Sequence, residues 1–185
     1  MAKNQLEKDI ISLYDSNLVN LFSINQIATK LKKKYPYINK KVTDLINQKI
    51  LNKIIVGKSY LCSLNFKNQE TILLLSLQEL KKKEKISTEN IENFIKKNQL
   101  DITIHSIIKY NQKTLFVIEN LHDRRKIQRE FSDCLIVDKK EFLDLLTEEK
   151  KLFTNHTILY GTEKFFELLK FELNELKRLY SPLKY

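Results

Sequence analysis

Glycine is nearly missing from this chain, with two residues in 185, and proline and cysteine are as scarce, with two each. So little glycine excludes the glycine-rich turns that cradle nucleotide phosphates, because those loops need several positions free of a Cβ. Two prolines cannot build a stiff linker, and no Gly/Ser-rich tract supplies a flexible one. Cys62 and Cys134 stand far apart in apolar runs, and neither has the close second ligand of a zinc site. They read as reduced thiols of an intracellular protein. No apolar run approaches the length of a membrane span, and the N-terminus lacks a signal-peptide pattern. The expectation is a cytoplasmic protein without a membrane partner.

What is present is charge and aliphatic side chain: 42% hydrophobic, 30% charged, with a net charge of +10. That composition folds, and the length allows one large domain or two small ones. Abundant Lys, Ile and Asn is also what an AT-rich genome encodes, so lysine number alone proves little. Its distribution says more. Residues 1–66 hold eleven lysines and no arginine against four acids, a net +7, while the remainder holds 22 bases against 19 acids. A phosphate-binding surface needs such a concentration, and genomic bias would spread it evenly.

Leu6, Ile10, Leu13 and Tyr14 give a first amphipathic helix. Leu18 to Phe22 is a short apolar link, suited to a small strand. Ser23 then caps a helical pattern through Ile24, Ile27, Ala28 and Leu31, which runs out at Lys32-Lys33-Lys34. Pro36 disfavours helix at Tyr35. A second helical pattern follows at once, with Ile38, Val42, Leu45 and Ile46 inward and Tyr37, Asn39, Lys40, Thr43 and Asn47 outward. That outward face is polar and basic, as a helix in a major groove must be. Leu51 to Val56 predicts a strand, Gly57-Lys58 a tight turn and Ser59 to Leu64 the returning strand, with Lys53, Lys58 and Tyr60 around the tip. Helix, turn, helix and hairpin is the order of a winged helix-turn-helix.

The segments SINQIATKL (23–31), VTDLI (42–46) and VGKSYLCSLN (56–65) resemble archaeal winged-helix regulators, many of which continue into a nucleotidyltransferase-like domain. The resemblance implies duplex DNA as partner. Asn39, Lys40 and Thr43, with Tyr37, would face base edges, and Lys30, Lys32, Lys33, Lys34, Lys53 and Lys58 would hold the backbone. Tyr35 and Tyr37 are equally suited to plugging the core.

Beyond Asn65 the pattern predicts a long helix from Asn68 ending in Lys81-Lys82-Lys83, and a capped helix through Lys97. Strands follow at Ile102 to Tyr110, Thr114 to Glu119 and Cys134 to Val137, the last two separated by a helix with Arg124, Arg125, Lys126 and Arg129. That basic set pairs best with Glu119, Asp123 and Glu130. Lys139 to Leu146 is amphipathic, His156 to Tyr160 is a short apolar stretch, and Gly161 precedes a terminal helix through Phe166, Leu169, Leu173, Leu176 and Tyr180. Its seam packs either on the sheet or on a second copy, a homodimer. VDKKEFLDLL (137–146) and NHTILYGTEKFF (155–166) resemble later elements of the transferase fold. An active transferase also needs a Gly-Ser turn and two carboxylates alternating on one strand to share Mg²⁺. This sequence has neither, and His105, His122 and His156 lack metal-ligand spacing.

The sequence therefore predicts an α+β protein of two domains. Residues 1–66 form a winged helix-turn-helix and 67–185 a small, degenerate nucleotidyltransferase-like α/β domain without cofactor, metal or enzymatic activity. Its expected role is sequence-specific DNA binding in transcriptional regulation. The rival is a protein-interaction or antitoxin-like module on the same two folds.

Overall fold

The structure is a computed structural model that describes residues 2–57, 59–84, 86–98, 102–149 and 151–170. It is an α+β protein whose chain divides into two compact units, parting between Leu75 and Ser76. The sequence places a boundary at 66/67. The chain's next helix, however, buries Thr71, Ile72 and Leu75, and the Thr71 hydroxyl donates to the Ile50 carbonyl at 3.1 Å. Those contacts keep its first turns with the first unit.

The first unit is built from α1 (Ala2–Ser12), α2 (Ile24–Leu31), α3 (Tyr35–Asn47), a hairpin of β1 (Leu51–Val56) and β2 (Ser59–Leu64), and the start of α4 (Gln69–Lys83). Ile10 and Ile11, with Tyr14 just beyond α1, meet Ile27 of α2 and Ile38, Val42 and Leu45 of α3, all without solvent exposure. Phe22 pairs with Cys62 in an antiparallel bridge, adding the short third strand to β2. The Cys62 carbonyl also accepts from the buried Tyr14 hydroxyl at 2.9 Å. Gly57, at φ 59, opens the two-residue hairpin turn, and Val56 pairs with Ser59 across it. Lys58 lies outside the described residues.

Scarce glycine leaves a mark on the backbone. Both α2 and α3 end in a lysine held in the left-handed region, Lys32 at φ 53 and Lys49 at φ 60. Each end shows the paired bonds of a Schellman motif: Lys32 and Lys33 N–H to Thr29 and Ala28 carbonyls, Lys49 and Ile50 N–H to those of Ile46 and Leu45. Glycine takes that position at no steric cost. A residue with a Cβ carries a strain of about 1–2 kcal/mol there.

The second unit centres on a four-stranded sheet in the order β5-β4-β3-β6, formed by β3 (Ile104–Tyr110), β4 (Lys113–Ile118), β5 (Cys134–Asp138) and β6 (His156–Tyr160). Only β4 and β5 run parallel, joined through a 3₁₀ turn and α6 (Arg124–Glu130). The apolar stretch at 156–160 is thus a fourth strand, antiparallel to β3. Ile107, Phe116, Ile118, Ile136 and Leu159 face a cluster with Ile91 and Phe94 of α5 (Glu89–Asn98) and Ile127 of α6. Further buried side chains come from α7 (Lys139–Glu148), α8 (Lys151–Thr154) and a helix over 162–170, here α9, where the rings of Phe142, Phe165 and Phe166 meet at 5.9 and 5.3 Å, tilted and edge-on. With both faces covered, Leu115 to Ile118 are all buried, so these strands do not alternate in hydropathy. The seam beyond residue 170 lies outside the described residues.

Gly161, at φ 69, follows β6 where a Cβ would sit 2.1 Å from the His105 carbonyl oxygen. The β3–β4 turn uses Asn111 at φ 48 and Gln112 at φ 65, a two-residue connection with no spare loop. Among the described residues no helix is long and apolar enough to cross a membrane.

Candidate nucleic-acid interface

The turn between α2 and α3 is fixed at both ends. Ser23 accepts from Gln26 N–H at 3.2 Å while the Gln26 side chain accepts from Ser23 N–H at 2.8 Å, a reciprocal capping box that contributes about 1 kcal/mol. Lys32 in the left-handed region then turns the chain. Tyr35 is helical, against the expectation drawn from Pro36. Proline's missing N–H is an orphan in a first turn anyway, so the helix starts around it without loss.

With about 100° per residue, burying Ile38, Val42 and Leu45 sends Lys40, Thr43 and Asn47 to solvent. Tyr37 is 56% exposed and Tyr35 48%, so neither plugs the core. Asn39 is only half-buried, at the flank of the helix rather than at its outermost line. Lys41, which the sequence leaves unassigned, binds Glu7 of α1 at 2.8 Å and ties the helix down. Asp44, exposed on the same helix, interrupts its positive charge and can accept a hydrogen bond.

The hairpin reaches this face. The Lys53 ammonium lies 4.5 Å from the centre of the Tyr60 ring, and Thr43 of α3 is the side chain that acts on the Tyr60 hydroxyl. Burial raises the Tyr60 hydroxyl above the usual phenol range, and Thr43 pulls it back. Beneath, burial pushes the Cys62 thiol up to about 11, opposed by Lys53. The arrangement gathers Tyr35, Tyr37, Lys40, Thr43, Tyr60 and Lys53 around one surface of the first unit. Lys32, Lys33 and Lys34 are exposed at the turn, while the Lys30 ammonium sits 5.4 Å from the centre of the Phe22 ring. Tyr60 and Ile55 are the residues the sequence did not single out as contacts. Cross-strand register could have shown Tyr60 opposite Ile55.

Of the second unit's basic set, Arg124 takes other partners than expected. Arg124 donates to the Ile136 carbonyl at 2.7 Å and pairs with Glu141 at 3.2 Å. Glu119 pairs with Lys139 at 2.7 Å and Glu130 with Lys97 at 3.2 Å. Those partners come from other elements, so sequence neighbours were the wrong guide. His105 and His156 are buried and His122 is exposed. Among the described residues no group of three or more His, Cys, Asp or Glu could hold a metal ion.

No family model, curated protein or solved structure matches this chain.

Proposed function

We propose that the first unit is a winged helix-turn-helix that binds duplex DNA, with α3 in the major groove and the β1–β2 hairpin as its wing. One observation carries this reading: the exposed face of α3, with Lys40, Thr43 and Asn47, and a hairpin in which Lys53 lies over Tyr60 offer a surface rich in lysine and hydrogen-bonding groups. Lys40, Thr43 and Asn47 project where base edges would lie, and Lys53 and Lys32 to Lys34 suit phosphates. Tyr35 and Tyr37 stand exposed beside them. The role is transcriptional regulation.

The second unit, in the same reading, is a non-catalytic scaffold, a degenerate relative of nucleotidyltransferases. Support comes from the Asn111–Gln112 turn, which leaves no phosphate-cradling loop, and from β4, whose buried side chains Leu115 to Ile118 include no carboxylate.

The test is a fluorescence-anisotropy titration of the full chain against random-sequence and selected duplexes across a salt series. Affinity should fall linearly on a log–log plot with salt, by roughly 0.9 per phosphate neutralised. Binding that ignores salt, or no binding at all, rejects the reading.

A further inference from the structure

The β1–β2 hairpin carries an apolar side chain that none of the described residues covers. Ile55 is 74% exposed, more than any other large hydrophobic residue among those described. Its place on the strand explains why it is apolar and yet bare. Leu51, Lys53 and Ile55 share one face of β1, opposite Leu64, Cys62 and Tyr60 of β2. At the base of the hairpin that face is the core of the unit, and Leu51, Cys62 and Leu64 are buried. Further out the same face leaves the helices behind. There Lys53 lies over Tyr60, Tyr60 reaches Thr43, and Ile55 comes last. The bare side chain therefore continues the surface that includes the outer face of α3.

We propose that Ile55 is a wedge that enters the minor groove of bound DNA and unstacks a base step, kinking the duplex. This rests on the DNA-binding reading. Two features select that occupant. Lys53 lies two residues back on the same face, so one strand brings a cation to the phosphates and an apolar group between them. Branched and aliphatic side chains flanked by cations are what proteins insert at kinked steps, which bend by roughly 20–90°. A membrane surface or a second copy would also accept an apolar tip, but neither uses the hydrogen-bonding face of α3 that adjoins it.

The test uses the full chain and duplexes recovered by selection, with 2-aminopurine placed in turn at each position of the flank and dyes at the ends for energy transfer. Wild type should raise 2-aminopurine fluorescence at one step and shorten the end-to-end distance. Ile55→Ala should abolish both signals while binding persists, roughly tenfold weaker. Ile55→Leu should retain them. If Ile55→Ala bends and unstacks the duplex as wild type does, the wedge is wrong while DNA binding stands. If wild type binds no duplex, both fall together. Ile55-dependent binding to anionic vesicles without a DNA signal, or a mass halved by Ile55→Ala in light scattering, assigns the tip elsewhere and overturns the proposal.

Discussion

The ammonium of Lys53 on β1 rests 4.5 Å from the centre of the Tyr60 ring on β2, and the side chain of Thr43 on α3 acts on the hydroxyl of the same tyrosine. A six-residue strand that projects from a small core has little else to fix its angle. The approach of Tyr60 to Thr43 bears on where the hairpin stands relative to the helix, and so on which two parts of a ligand the unit can touch together.

Tyr60→Phe removes the hydroxyl on which Thr43 acts and leaves the ring for Lys53. The expected cost to stability is small, about 0.5–1.5 kcal/mol, as for one part-exposed hydrogen-bonding group. DNA affinity should fall with it, because the hairpin loses its angle. An anisotropy titration that gave wild-type affinity for Tyr60→Phe would show that the hydroxyl does not orient the hairpin.

Lys40→Ala should weaken duplex binding without unfolding, because the side chain is exposed and buries nothing. A lost base contact costs about 1–3 kcal/mol and a lost phosphate contact lowers the salt slope by about one. Asn39→Ala should do less, since Asn39 stands at the half-buried flank of the helix. Equal affinity of Lys40→Ala and wild type, with an unchanged circular-dichroism spectrum, rejects α3 as the docking helix.

Much of the first unit was legible in the sequence because its signals are local. The Ser23 cap, the glycine of the hairpin turn, and strands of Leu51–Val56 and Ser59–Leu64 all lie within a few residues of what they control. Tyr35 misled because the rule against helix before proline yields at a first turn. The second unit was less legible. A strand covered on both faces shows no alternation, which hid β6, and the ion-pair partners of Arg124 and Glu119 lie 17 and 20 residues away. The exposure of Ile55 could not be read either. Alternation assigns it to the face of Leu51, and only the point at which the hairpin leaves the helices decides that it is bare.

Lys49→Gly should stabilise the protein. Lys49 holds φ 60 at the end of α3, where a Cβ is strained and glycine is not. Relief of about 1–2 kcal/mol is offset partly by the larger entropy that glycine loses on folding, leaving about 0.5–1 kcal/mol. That corresponds to a rise of about 2–4 °C per kcal/mol in the melting midpoint. A lowered midpoint would mean that the lysine side chain compensates the strain by a contact of its own.

The two glycines should differ sharply on replacement by alanine. Gly57 has open space around it, so Gly57→Ala meets only the left-handed φ, about 1–2 kcal/mol. At Gly161 the new methyl would sit 2.1 Å from the His105 carbonyl oxygen, a backbone atom that cannot rotate away. Either β3 and α9 must separate locally or the φ must change, and the loss should exceed about 3 kcal/mol. Urea midpoints that fell equally for the two variants would remove the close approach from the account.

Acid should unfold the second unit earlier than carboxylate titration alone would, and His156 is one cause. Its ring is buried against Phe165 at 5.5 Å, with neither nitrogen hydrogen-bonded. Its Nε2 lies 3.8 Å from Glu79 Oε1, and Glu79 itself accepts from Ile158 N–H at 3.0 Å and pairs with Lys82. Burial pulls the imidazole down to about 4, with Glu79 opposing and Lys82 assisting. His105 is pulled down to about 4 as well, by burial first and then by Lys139. A group whose folded pKa is depressed takes its proton more readily when unfolded. Stability is therefore complete above the unfolded value of about 6.5 and falls as pH drops from there through about 4, by up to about 1.4 kcal/mol per pH unit for each histidine. His156→Phe keeps an aromatic ring of slightly larger volume, removes two unbonded nitrogens and deletes one of the two titrations. Its urea midpoint should match or exceed wild type at pH 7 and decline about half as steeply between pH 6 and 4, apart from the carboxylate contribution common to both. A variant that lost stability in parallel with wild type over that window would show that His156 does not take up the proton on unfolding.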